Sequence, residues 1–339
     1  MSEFLKLHQQ LVRSAAPSGF EDRIAALLTE LAAPYADEIT TDALGNVICH
    51  KKGSGKKILL AAHMDAIGLM VTYIDKEGLL FVTPIGGLSA SKGIGLRVRF
   101  LNGTEGTIRA REQDKTIYGG SASSIARTDT FVDIGATSRE TAEQFVHVGD
   151  VCVYAGEPHA AAGNNVIGPY ADDLMCCAVL LEVLKNVKEC PNDLYIAFTS
   201  QEEIGSHGAM PLAEGLEPDI GIAVDVTSAT DTPEYDKAPT DVALGKGCTV
   251  KIKDACMIGQ LKLNRKLRAV AAEEGIPVQD EVLLAGGTDA DVMQMSGRGV
   301  AASCVSVPCR NVHTPGEMYN IDDALNAARL LTAFVSRAQ

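Results

Sequence analysis

Hydrophobic and polar positions change texture twice along this 339-residue chain, and the changes predict how it is divided. Phe4, Leu5, Leu11, Val12 and Ala15 recur at helical spacing up to Pro17, which predicts a first helix. Ser18-Gly19-Phe20-Glu21 has the form of a capping box, and Ile24, Leu27, Leu28 and Leu31 behind it predict a second. Short β-type runs at 39–41 and 47–49 flank the turn Leu44-Gly45-Asn46. Residues 58–62 are then continuously apolar, as in a strand buried on both faces, and lead into His63-Met64-Asp65.

From about Leu69 to about His159 short β-rich runs, such as 78–82 and 96–101, alternate with glycine turns, and no helical pattern is longer than 139–145. Arg97-Val98-Arg99-Phe100 alternates as a strand with one wet and one buried face does. This stretch predicts a small β-barrel or sandwich at 69–159, inserted between two parts of a main domain, 1–68 and 160–339. From Asn164 the α/β texture returns. Asp172 and Asp173 precede a helix over 174–184, where the helix dipole favours acids. The apolar strand 194–199 runs into Gln201-Glu202-Glu203-Ile204-Gly205, and a second, 220–224, ends in Asp225. A helix over 260–274, a strand near 282–284 and the turn Gly286-Gly287-Thr288-Asp289 follow. The last core strand is expected at 300–307; after Pro308 the chain reaches His313, and a helix over 321–337 closes it. The fold class is α/β, a mixed sheet flanked by helices with an inserted small β-barrel.

Composition narrows the function. At 46% hydrophobic and 22% charged residues the chain can bury a full core, and its length suits two domains. A net charge of -14 disfavours nucleic acid and anionic membrane surfaces as partners. The longest apolar run, 174–181, is far short of the roughly 20 residues that span a bilayer. Nine cysteines match neither a zinc ribbon nor a Cys-x-x-Cys pair and read as reduced core residues. With Lys6, His8 and Arg13 interrupting the first apolar positions, no signal sequence is expected, and the protein is expected in the cytoplasm.

Ligands of open α/β sheets bind beyond the carboxyl ends of the strands. His63, Asp172, Glu203, Asp225 and His313 each fall at such a strand end or at a helix start. Imidazoles and carboxylates together suit zinc, cobalt or manganese, and with one carboxylate shared, five ligands can hold two ions with positions left open. Asp65 could accept the other N–H of the His63 imidazole and fix its tautomer. Singly, each residue has a plain reading: His63 a hydrogen-bonded core histidine, Asp172 a helix cap, Glu202 and Glu203 a solvated pair, Asp225 a turn residue, His313 a loop residue. Their joint occurrence favours a metal site.

The ordered set His63-Met64-Asp65, Asp172-Asp173, Gln201-Glu202-Glu203-Ile204-Gly205, Val224-Asp225-Val226-Thr227, Gly286-Gly287-Thr288-Asp289-Ala290 and His313-Thr314-Pro315-x-Glu317 resembles, over nearly the whole chain, the dinuclear-metal aminopeptidases that form tetrahedral dodecamers. These are of the glutamyl aminopeptidase type, and some are labelled cellulase or endoglucanase. The resemblance implies a zinc-peptidase-like catalytic domain whose β-rich insert makes dimers that assemble into a dodecamer. It implies two divalent ions per chain, with Asp172 bridging, His63 and Asp225 completing one site, Glu203 and His313 the other, and Glu202 as general base. The implied reaction removes N-terminal residues from short peptides. Two positions depart from the pattern: Ala66 stands where an acid is usual and Leu174 where an arginine is, which leaves substrate preference and turnover open. His207 reads as a solvated loop histidine or a pocket residue. The rival readings are a deacylase or carboxypeptidase on the same paired metals, a non-catalytic peptide-binding scaffold, and a glycosidase. The last is disfavoured because Glu202 and Glu203, as neighbours on an extended segment, would point apart, and both histidines would be unexplained.

Overall fold

The computed structural model describes residues 2–88, 93–110, 130–233 and 241–339. At the centre of an 11-stranded sheet lie four parallel strands, β12 (Asp193–Thr199), β3 (Lys57–His63), β13 (Ile220–Ser228) and β16 (Ala301–Arg310), in that spatial order. The antiparallel strands β2 (Val47–Lys51) and β1 (Glu38–Thr41) extend one side. On the other, β17 (Glu317–Asn320), β11 (Asn165–Gly168) and β10 (His159–Ala160) continue the sheet, while β14 (Cys248–Lys253) and β15 (Val278–Val282) branch from β16.

The apolar run of β3 is explained by what covers its two faces. Ile58, Leu60 and Ala62 enter a core that also contains residues of the helices Glu3–Val12, Asp22–Ala32, Ala171–Asn186 and Ile321–Val335. Leu59 and Ala61 face the opposite way, against Leu212 and Ala213 of the helix Ala209–Leu216 and Ala290 and Met293 of the helix Asp289–Met295. In the Ala171–Asn186 helix Leu174 through Leu181 are all buried, because the sheet lies on one side and the first and last helices on others. Burying one such leucine contributes about 1.5–3 kcal/mol.

The β-rich stretch forms a closed antiparallel barrel with strand order β4 (Gly68–Ile74), β5 (Leu80–Ile85), β8 (Thr130–Asp133), β7 (Glu105–Ala110), β6 (Arg97–Phe100) and β9 (Val151–Tyr154). Val98 and Phe100 point inward and Arg97 is exposed, as the alternation predicts. The expected helix at 139–145 is the single turn Arg139–Ala142. Part of the predicted insert, 89–92 and 111–129, lies outside the described residues.

Several local expectations change. Ser18 does not cap the second helix: its hydroxyl donates to Asp65 Oδ2 at 2.6 Å, while Glu21 accepts the backbone N–H groups of Gly19 and Gln201. The strand expected near 282–284 is Val278–Val282, paired with β14, which the pattern does not predict. Both are disguised by buried charge, since Lys251 of β14 and Glu281 of β15 pair at 3.0 Å inside the sheet. The turn after Gly286 opens a helix, Asp289–Met295, with Thr288 as its cap. Pro308 sits within β16, opposite Thr227, and β17 follows as a short strand too polar to stand out.

Candidate active site

β12 and β3 end level, Thr199 beside His63, so the Gln201–Gly205 turn emerges next to the histidine. Pairing of β13 with β3 stops at Ala223, but β13 continues along β16 as far as Ser228. Asp225 is therefore not a strand-end residue, as expected, but lies on the overhang of β13 beyond β3. Asp172 and Asp173 start the Ala171–Asn186 helix with non-helical dihedrals, and His313 follows β16 with φ at +63°.

The five candidate ligands and Glu202 line one cavity of about 710 Å³. His63 Nε2 lies 3.1 Å from Asp172 Oδ1, and His313 Nε2 lies 3.1 Å from Asp172 Oδ2 and 3.3 Å from Glu203 Oε2. Asp225 joins through His63 and Asp173, whose donor atoms lie within 4.8 Å of one another and of its own. Glu202 Oε2 is 3.9 Å from His63 Nε2. The His63 ring is oriented by the backbone: Nδ1 is 3.1 Å from the Asp65 carbonyl, which can only accept, so Nδ1 carries a hydrogen and Nε2 is the nitrogen that faces the cavity. The Asp65 carboxylate, expected in that role, stands farther off at 3.4 Å.

That carboxylate instead holds a turn. Its Oδ1 accepts the backbone N–H of Glu202 at 2.9 Å and its Oδ2 that of Glu203 at 3.2 Å. Glu202 and Glu203 consequently leave an extended path, Gln201 taking φ of +57°, and both side chains enter the cavity. Glu317 does the same elsewhere: Oε1 accepts the His313 N–H at 2.9 Å and Oε2 the Asp172 N–H at 3.1 Å. Asp173 Oδ2 accepts the His63 N–H at 3.2 Å, and Asp289 accepts from the Thr199 hydroxyl at 2.5 Å. Sequence reasoning gave Asp173, Glu317 and Asp289 no function, although each lies inside a motif it singled out. The barrel also reaches the site, since a Cβ on Gly87 would lie 2.6 Å from His313 Nδ1. His207 is exposed and does not line the cavity.

The electrostatics are those of a cation site. Burial would lower the pKa of His63, but Asp172 and Asp65 outweigh it and hold it well above its ordinary value. His313, by the same contest with Asp172 and Glu203, is carried to about 11. Burial, then Asp172, raises Asp225 to about 7, and burial raises Asp289 to about 6 and Glu202 well above the usual carboxylate range. Asp173 Oδ1 and Glu203 Oε1 are buried without a hydrogen-bond partner. Crowded carboxylates with orphaned oxygens, facing two imidazole nitrogens, fit a divalent cation bound by oxygen and nitrogen.

A histidine–carboxylate cluster at the carboxyl ends of parallel strands in such a sheet fits a metallohydrolase, and comparison with known proteins specifies an aminopeptidase. The chain belongs to the M42 glutamyl aminopeptidase family, whose sequence profile matches residues 45–330. It is 35% identical over 345 residues to the lysyl aminopeptidase of Pyrococcus furiosus, covering 97% of this chain and 96% of that one. Aminopeptidase APDkam598 from the archaeon Desulfurococcus kamchatkensis superposes with a TM-score of 0.94 at 33% identity, over 98% of this chain and 94% of that one. The Pyrococcus horikoshii TET1 peptidase, which can assemble into a tetrahedron or a large octahedral shell, superposes with a TM-score of 0.89 at 30% identity, over 98% and 99% of the two chains.

Proposed function

We propose that this aminopeptidase works with two divalent ions shared through Asp172, zinc, cobalt or manganese, with His63 and Asp225 completing one position and Glu203 and His313 the other. The observation that carries this reading is that the two oxygens of Asp172 face different imidazoles, each at 3.1 Å. Bound there, the ions would lower the pKa of water and polarise the scissile carbonyl. Glu202 takes a proton from the attacking water and returns it to the departing amine, work suited to a carboxylate whose pKa burial has raised. Asp65 and Glu317 orient these groups by holding their backbone amides. Residues 1–68 and 160–339 act as one catalytic domain on short peptides in the cytoplasm, and the 69–159 insert joins copies into dimers and these into a larger closed shell. Exposed Leu101, Phe145 and Val148 on the barrel support that role.

Metal analysis tests the centre. Metal-free protein should take up two equivalents of zinc or cobalt per chain, and His63→Ala and His313→Ala should each weaken one of two binding steps. Saturation at one equivalent in the unaltered protein would remove the shared role of Asp172.

A further inference from the structure

Family membership leaves open which N-terminal residue is removed, since the family is described by glutamyl specificity and a close relative by lysyl. The cavity itself carries an answer. Beyond the ligand set it is lined by Leu283, Leu284 and Val292, an apolar wall, together with Lys251, Cys256 and Asp291. Lys251 is the only lysine or arginine among the described lining residues, and it is already engaged. Its Nζ lies 3.2 Å from Asp254 Oδ2 and 3.0 Å from Glu281 Oε1, all three side chains being buried. One ammonium is thus already shared by two carboxylates, Asp254 and Glu281, and no lysine, arginine or histidine among the described residues forms an ion pair with Asp291.

Asp291 lies in the first turn of the Asp289–Met295 helix, where an aspartate commonly serves the helix end. That role is only half used. Thr288 supplies the cap, and Asp291 Oδ1 accepts the N–H of its neighbour Val292 at 2.6 Å. Oδ2 is turned towards Gly287 and Cys256: a Cβ on Gly287 would lie 3.4 Å from Oδ2 and 3.0 Å from Cys256 Sγ, so the absence of a side chain there keeps both accessible from the cavity. Cys256 and Asp291 thus border the same cavity that Glu202 and the candidate ligands line.

We propose that Asp291 selects peptides whose N-terminal residue is lysine or arginine, its carboxylate pairing with the side-chain cation while the apolar wall takes the methylene stem. A glutamyl side chain would meet surplus negative charge in the same space. The inference deepens the aminopeptidase reading and rests on it.

The test compares lysyl, arginyl, norleucyl and glutamyl p-nitroanilides on metal-loaded protein. Norleucine has the lysine stem without the ammonium, so the lysine-to-norleucine ratio of kcat/KM isolates the charge. The unaltered enzyme should favour lysine over norleucine by about tenfold or more, with glutamate poorest. Asp291→Asn should bring the ratio towards one, and Asp291→Lys should raise glutamyl above lysyl turnover. Calorimetry with free L-lysine and L-norleucine should show the same change in binding. Equal or better turnover of norleucine by the unaltered enzyme, or an unchanged ratio in Asp291→Asn, would overturn the inference and leave the aminopeptidase reading intact. Failure to cleave any of the four would overturn both.

Discussion

Glu202 and Glu203 are adjacent in the chain, yet their surroundings give them different work. Glu203 is 3.3 Å from His313 Nε2 with its side chain 4% exposed, whereas Glu202 contacts neither histidine more closely than 3.9 Å. Glu202→Gln keeps size and metal ligands but cannot accept a proton, so turnover should fall by about 10²- to 10⁴-fold with KM little changed. Glu203→Gln should lose affinity at one metal position and regain part of its activity with excess metal. Metal content and turnover of both variants check this, and loss of a metal from Glu202→Gln would reverse the assignment. The roles of Asp65 and Glu317 could not be read from residue type. A carboxylate near a histidine looks like its partner, and only the three-dimensional path of the backbone reveals that each accepts two amide hydrogens instead.

The first helix is tied to the rest by His8. Its Nε2–H donates to the Tyr170 carbonyl at 3.1 Å and its Nδ1 accepts from the Tyr319 hydroxyl at 3.0 Å, so the buried ring is neutral and burial lowers its pKa to about 4. The unfolded chain binds this proton near pH 6.5 and the folded chain only near 4, so stability present above pH 6.5 is lost as pH falls towards 4, at up to about 1.4 kcal/mol per pH unit. Urea unfolding of the unaltered protein and His8→Gln across that range should show a shallower slope in the variant. The barrel allows a second prediction for an element. Exposed Phe145 and Val148 have no service in the barrel's own core, so Phe145→Asp with Val148→Asp should shrink the assembly without unfolding the chain. Sedimentation showing an unchanged particle would count against the barrel as the joining surface.

At the scale of the whole molecule, acids gathered from the turn after β12, from β13 and from the starts of the Ala171–Asn186 and Asp289–Met295 helices repel one another at a single sheet edge. Chelation should therefore lower the Tm, and zinc at a thousandfold excess over its Kd should restore about 4 kcal/mol. Scanning calorimetry with and without chelator checks both. No helix among the described residues is long and apolar enough to cross a membrane. How far this organisation is legible in the chain depends on the range of the forces involved. The central strands, the flanking helices and the β-rich insert are written in periodicity, because which faces of an element are buried is recorded in its own spacing of apolar residues. The five candidate ligands are legible because a cation site needs imidazoles and carboxylates, and in this chain these stand out beside the apolar runs of the sheet and its helices. Tertiary structure alone decides β14 and β15, whose Lys251–Glu281 pair is polar in sequence and buried in space, and the diversion of Ser18 from a helix cap to Asp65. It alone decides as well that Asp291 borders the cavity without an ion-pair partner among the described residues. Whether a charge is solvated, paired or left facing a cavity depends on groups distant in the chain, and no local pattern records them.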